Sequence, residues 1–156
     1  MKDYVGTGMG KYIAYKLFNA GKYAYICSPY IDRYYADAIP GLAEKGILVK
    51  VMATDRQAGG FSLLDYFEDS YDGGENFDCI TVDGEGFVHS KIYVIDDAYA
   101  VDGSANLTYS GLWNQVNNIH VYDTPTEVQN VKRSFEKIWD YNDEDESDDD
   151  ESGSDY

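Results

Sequence analysis

Met9, Ile13 and Leu17 recur four apart, the spacing of one helix face, and predict a first helix that stops near Asn19-Ala20-Gly21. Residues 23–31 (YAYICSPYI) are almost unbroken apolar and predict a buried strand. Residues 34–45 predict a helix interrupted or restarted at Pro40, with Gly46 as its stop. Residues 47–53 (ILVKVMA) predict a second strand, and the strand–helix–strand order predicts a parallel pair. A short helical stretch (FSLLDYFEDS) follows, flanked by Gly59-Gly60 and Gly73-Gly74. Strands are then predicted at 77–82, 87–95 and 98–102, with turns at Asp83-Gly84 and Asp96-Asp97. A short helix over 106–113 and a strand over 117–123 come next. Thr124-Pro125-Thr126-Glu127 opens a last helix to about Trp139, with Val128, Val131, Phe135 and Ile138 on one face. The sum is one α/β domain over residues 1–140, a mixed β-sheet flanked by helices.

Charge changes the reading of the C-terminus. Residues 141–156 hold nine acids and no base, and almost nothing apolar. They are expected to form a disordered acidic tail. The whole chain of 156 residues carries a net charge of −17; without the tail, 20 acids face 12 bases, so the folded part is only moderately acidic. Cys27 and Cys79 sit in apolar runs and read as small core residues, and no Cys/His spacing suggests a metal. No apolar run is long enough to cross a membrane and no apolar signal core opens the chain, which gives a soluble, cytoplasmic protein as the expectation. Gly6-Thr7-Gly8-Met9-Gly10-Lys11 has the look of a phosphate loop. Its glycine spacing is one residue short and Tyr12 follows the lysine, so it reads as a flexible lead into the first helix.

The chemistry concentrates in residues 89–106, HSKIYVIDDAYAVDGSAN. His89 and Lys91 are two apart on an expected strand, so both side chains leave one face and set a nucleophile beside a cation. Ser104 and Asn106, also two apart, follow the next strand and offer a hydroxyl and a carboxamide to the same anion; Gly103 lets the backbone turn there. An imidazole that can attack phosphorus, a fixed positive charge and neutral hydrogen-bond donors make a phosphate site.

Those residues spell H-x-K-x4-D-x6-G-S-x-N, and in this the chain resembles the phospholipase D superfamily, whose fold it is then expected to share. The resemblance implies that His89 forms a covalent phosphohistidine, that Lys91, Ser104 and Asn106 bind the phosphate, and that Asp96 belongs to the catalytic set as a supporting residue. It implies no cofactor and no metal. Each site in the superfamily uses two motifs and this chain has one, which implies a homodimer like the small endonucleases of the superfamily. Nucleic acid, DNA or RNA, is the expected substrate; a phospholipid or other small phosphodiester is the alternative, and a non-catalytic binding module a third reading. The superfamily's usual downstream Glu, in an N-x-E pattern, is absent. Asn118 and His120 stand nearest in pattern, Asn117 in spacing, and the three are the candidates to hold the imidazole.

Overall fold

A computed structural model describes residues 1–71, 74–83 and 90–152, with side chains as far as Asp143. Its element order is β1 (Lys2–Gly6), α1 (Gly10–Leu17), β2 (Tyr23–Cys27), α2 (Arg33–Glu44), β3 (Leu48–Ala53), α3 (Leu63–Ser70), β4 (Phe77–Thr81), β5 (Lys91–Ile95), β6 (Tyr99–Gly103), a π-helical turn (Ser110–Asn114), β7 (Asn117–Tyr122) and α4 (Pro125–Ser152). The strands form one mixed sheet in the order β1-β7-β6-β5-β2-β3-β4. β2, β3 and β4 run parallel; β5, β6, β7 and β1 join by antiparallel pairing.

Alternation on these strands sorts side chains between two apolar layers. On one face Ala24, Ile26, Tyr93, Val101 and Ile119 meet Ile13 and Leu17 of α1, Ile39 of α2 and Leu63 of α3. On the other, Tyr25, Cys27, Met52 and Val94 meet Val128, Val131, Phe135 and Trp139 of α4. Each such side chain taken out of water contributes roughly 1.5–3 kcal/mol.

The structure corrects the expected elements in four places. Lys2–Gly6, where no strand was expected, is an edge strand paired with β7. Its alternation is exposed on one side, so its partner rather than its own pattern makes it a strand. α2 passes through Pro40 without a break, started by Asp32, whose carboxylate accepts the Tyr35 N–H at 3.1 Å. β2 ends at Cys27, four residues before the apolar run does. The helix over 106–113 is instead the π turn at Ser110–Asn114.

The last helix also runs past Trp139, and its backbone stays helical to Ser152, across most of the stretch expected to be disordered. Asn142 explains how it gets beyond the sheet. The side chain is buried, donating to the Ile138 carbonyl at 2.8 Å and to the Met52 sulfur at 3.7 Å. A helix already nucleated on the sheet extends at little cost, since each added residue adds a hydrogen bond. Neither cysteine forms a disulfide, and among the described residues no helix is long and apolar enough to cross a membrane.

Candidate active site

The motif residues divide between the two ends of β5. Lys91 opens the strand, half-buried, and pairs in register with Gly103, the last residue of β6. It alternates with Tyr93 and Ile95, which lie in the layer under α1 and α2, so it shares that face. Next to it the Cys27 thiol approaches the Ser90 carbonyl at 3.4 Å. Burial pushes that thiol up to about 12, against an opposing pull from the Lys91 ammonium. His89 lies outside the described residues, and so does its expected place on the same face as Lys91. Both flanks of that segment are held at one sheet edge: Ser90 by Cys27, and Asp83 by the Thr54 hydroxyl at 2.6 Å.

Gly103 has φ of +144°, and a Cβ there would stand 2.3 Å from the Asn118 carbonyl oxygen and 2.8 Å from Ile119 Cα. Only glycine lets β6 approach β7 so closely. The chain then turns. Ser104 N–H donates to the Asn118 carbonyl at 3.0 Å, its hydroxyl donates to the Asn117 carboxamide oxygen at 2.9 Å, and it accepts the Asn118 N–H at 2.9 Å. Ser104 is exposed, but its proton is committed to Asn117. To donate to a phosphate it must rotate away.

Asn106 is half-buried beside Ser28, a residue the sequence reading passed over. Ser28 is wholly buried at the end of β2. Its hydroxyl donates to the Tyr30 carbonyl at 2.8 Å, accepts the Leu107 N–H at 3.0 Å and stands 3.4 Å from the Asn106 carboxamide oxygen. One hydroxyl proton cannot serve two acceptors, so the shorter contact to Tyr30 holds it and the Asn106 contact is the weaker one. Just under it the buried Tyr93 hydroxyl donates to the Ala105 carbonyl at 2.7 Å. A serine closing an apolar run, directly before Pro29, was the available signal for Ser28.

Asp96 is elsewhere. It follows the other end of β5, about 16 Å from Lys91 at ~3.3 Å per residue. Its carboxylate accepts backbone N–H groups from Gly21 (3.2 and 3.1 Å), Lys22 (2.7 Å) and Tyr23 (3.1 Å). It ties the turn after α1 to the sheet, in a left-handed backbone conformation (φ +56°). The structure thus sets Asp96 apart from Lys91, in a structural contact at the far end of β5.

The three candidates on β7 separate by alternation. Asn117 is buried on the Lys91 side and also donates to the carbonyls of Gly111 at 2.7 Å and Gln115 at 3.4 Å. Asn118 is exposed on the other face and contributes only backbone. His120 is on that other face too, with Nδ1 2.8 Å from Asp102 and Nε2 3.4 Å from Asp3. Asn117 stays with the site; the sheet divides Asn118 and His120 from it. Among the described residues no group of three or more His, Cys, Asp or Glu is arranged to hold a metal.

The family model described as "Cardiolipin synthase, PLD-like domain" matches residues 13–139. Cardiolipin synthase 1 of Staphylococcus epidermidis is 31% identical over 124 residues, covering 78% of this chain and 25% of that protein. An uncharacterized protein of Streptococcus mutans is 30% identical over 141 residues, covering 86% of this chain and 30% of its own length. The chain thus spans less than a third of these curated relatives. Two solved structures share the fold. Nuc from Salmonella typhimurium, a phospholipase D family member, has a TM-score of 0.68 at 16% identity, covering 89% of this chain and 94% of that one. NucT from Helicobacter pylori has a TM-score of 0.67 at 18% identity, covering 89% and 96%.

Proposed function

We propose a function from one premise: this chain belongs to the phospholipase D superfamily, through a PLD-like domain. We read it as a metal-independent phosphodiester hydrolase that acts on nucleic acid through His89. The observation that carries this reading is the convergence of Lys91, Ser104, Asn106 and Asn117 at one edge of the sheet, where the chain leading from His89 arrives. Lys91 offsets phosphate charge, so a nitrogen nucleophile suffices without a metal-bound hydroxide.

The reaction has two steps. A nitrogen of His89 attacks phosphorus, forming a P–N bond as the P–O bond to the leaving alcohol breaks, and an acid protonates that alcohol. Water, losing its proton to the same group, then attacks phosphorus and restores His89. In this reading the acid is a second imidazole, as the superfamily's use of two motifs per site implies. His120 faces the wrong side of the sheet and is engaged by Asp102 and Asp3. A second copy of the chain, supplying its own His89 across a two-fold axis, meets the need, and the working unit in this reading is a homodimer. Nucleic acid is favoured by the single motif, the pattern of the superfamily's small endonucleases.

One finding favours a second reading: the 31% identity to a cardiolipin synthase suits a phospholipid phosphodiester. The deciding experiment assays the purified protein and His89→Ala, in excess EDTA, on single-stranded DNA, RNA, a chromogenic phosphodiester and phosphatidylglycerol vesicles. Cleavage of nucleic acid that persists in EDTA and vanishes in His89→Ala is expected. Full activity in His89→Ala, or complete loss on chelation restored by added metal, would refute the mechanism. Turnover of the lipid alone would select the second reading.

A further inference from the structure

Beside the phosphate edge lies an uncharged cleft of about 530 Å³ between α1, α2 and the π turn, lined chiefly by Tyr15, Phe18, Tyr34, Tyr35, Tyr109 and Trp113. That volume suits a nucleotide-sized ligand. Three of its rings are open to solvent: Tyr15 and Tyr34 are each 62% exposed and Tyr109 49%. Tyr35 belongs to the buried core, with Phe18 and Trp113 packed against it, whereas Tyr15, Tyr34 and Tyr109 stand exposed around the cleft.

The cleft is built and held. The Trp113 indole N–H donates to the Tyr35 hydroxyl at 2.8 Å. The indole packs so tightly on Gly10 that a Cβ there would stand 2.4 Å from the ring. Tyr35 stacks on Phe18 with centroids 5.9 Å apart, and Tyr34 meets Tyr109 edge-on at 5.4 Å. Gly10, the last glycine of the failed phosphate loop, thus has a purpose as the floor under Trp113.

The cleft is also joined to the phosphate site through the chain. Tyr109 follows Asn106 by three residues, across a turn closed by the Thr108 N–H on the Asn106 carbonyl at 2.8 Å. Tyr34 stands in the first turn of α2, just past the connection that begins at Ser28. Asp32 joins the two loops, accepting the Tyr109 N–H at 2.6 Å and the Tyr35 N–H at 3.1 Å. The rings at the mouth grow from the loops that carry Asn106 and Ser28.

We propose that this cleft is a nucleobase subsite, taking one or two unstacked bases next to the phosphate bound at Lys91 and Asn106, and that it makes single-stranded nucleic acid the preferred substrate. The inference rests on the nucleic-acid reading above. Charge argues the same way. A chain of net charge −17 gains little from neutralising many phosphates, the usual source of duplex affinity. Stacking on aromatic faces needs no positive groove, but it needs bases with free faces, which a duplex withholds. A lipid tail would be better served by an aliphatic wall. The cleft has no ionised side chain in its lining, and burial raises the Tyr35 hydroxyl above its ordinary value, so that group stays neutral.

The test follows Trp113 fluorescence in a Trp139→Phe background, titrated with a short oligothymidylate and with the same strand annealed to its complement. Quenching by the single strand at concentrations several-fold below the duplex is expected, with a shallow dependence on salt. Tyr34→Ala with Tyr109→Ala should weaken that binding at least about fivefold and raise KM for the oligonucleotide more than it lowers kcat, with an unchanged melting temperature. If the unaltered protein cleaves the single strand and the double variant does so with the same KM, the subsite is overturned while the nuclease reading stands. If the double variant turns a dimer into a monomer in light scattering, the cleft is a subunit seam and the proposal is equally overturned. If the unaltered protein neither binds nor cleaves nucleic acid, the nuclease reading falls and takes the subsite with it.

Discussion

The Ser104 hydroxyl donates to the Asn117 carboxamide oxygen across 2.9 Å, and the other end of the same carboxamide donates to Gly111 and Gln115. One neutral side chain thus links the motif loop to the π turn, at the position where spacing from the motif places the superfamily's Glu. Its N–H₂ end is as necessary as its oxygen. Asn117→Asp would set a carboxylate against two carbonyl oxygens, and should lower stability by about 1–3 kcal/mol in urea denaturation. A stability equal to the parent's would show that the link contributes nothing.

Gly103→Ala should be far worse. Its methyl group would fall on backbone atoms that cannot rotate aside, at a φ few L-residues adopt. A loss above about 3 kcal/mol, or failure to fold, is the expected outcome in the same assay.

Lys91 and Asp96 belong to one motif, yet their variants should fail differently. Lys91→Ala should keep its melting temperature and lose roughly 10²–10³ in kcat on a phosphodiester, by loss of charge stabilisation. Asp96→Ala abandons three backbone N–H groups and should cost about 2–4 kcal/mol. Its folded fraction should turn over like the parent. A collapse of kcat in folded Asp96→Ala would return that residue to the catalytic set.

The parallel β2–β3 pair, the strands around the motif and the motif itself were legible because each is local in sequence. β2, β3 and the strands around the motif carry apolar runs of strand length, and the motif needs only the spacing of His89, Lys91, Ser104 and Asn106. What escaped is non-local. β1 is a strand because β7 is beside it. Ser28 matters because the fold lays it 3.4 Å from Asn106, 78 positions away. Asp96 looked catalytic because spacing cannot tell which end of a strand a residue serves. His120 looked available because a face is assigned only once register is known: Asp102 opposite it sets that face. The acidic stretch looked disordered because composition does not register a helix already started on Val128 and Phe135.

Alkaline pH should unfold this protein gradually. Burial raises Cys27 from an ordinary 9.0 to about 12, and Tyr122 from 10.0 to about 12 with help from Asp102. Tyr23, Tyr25, Tyr93 and Tyr99 are raised in the same direction, chiefly by burial. These groups bind protons more tightly folded than unfolded. Their contribution is therefore complete below about pH 9 and is lost as pH climbs through the raised folded values, about 12 for Cys27 and Tyr122. The urea midpoint should hold steady from about pH 7 to 9 and then decline, with a gentler decline in Tyr122→Phe. A flat midpoint to about pH 11 would contradict this.

The glycine between β6 and β7 bears on how a lineage of such chains would decay. Gly103 answers to the polypeptide's need to fold, as Asp96 does, whereas His89, in the proposed function, answers to the reaction. A descendant released from selection for turnover could exchange His89 freely, yet would still be culled for exchanging Gly103. Half-erased copies of the motif, with glycine and aspartate intact and histidine gone, are the relics such a history would leave. They would testify to ancestry in this fold without testifying to an enzyme.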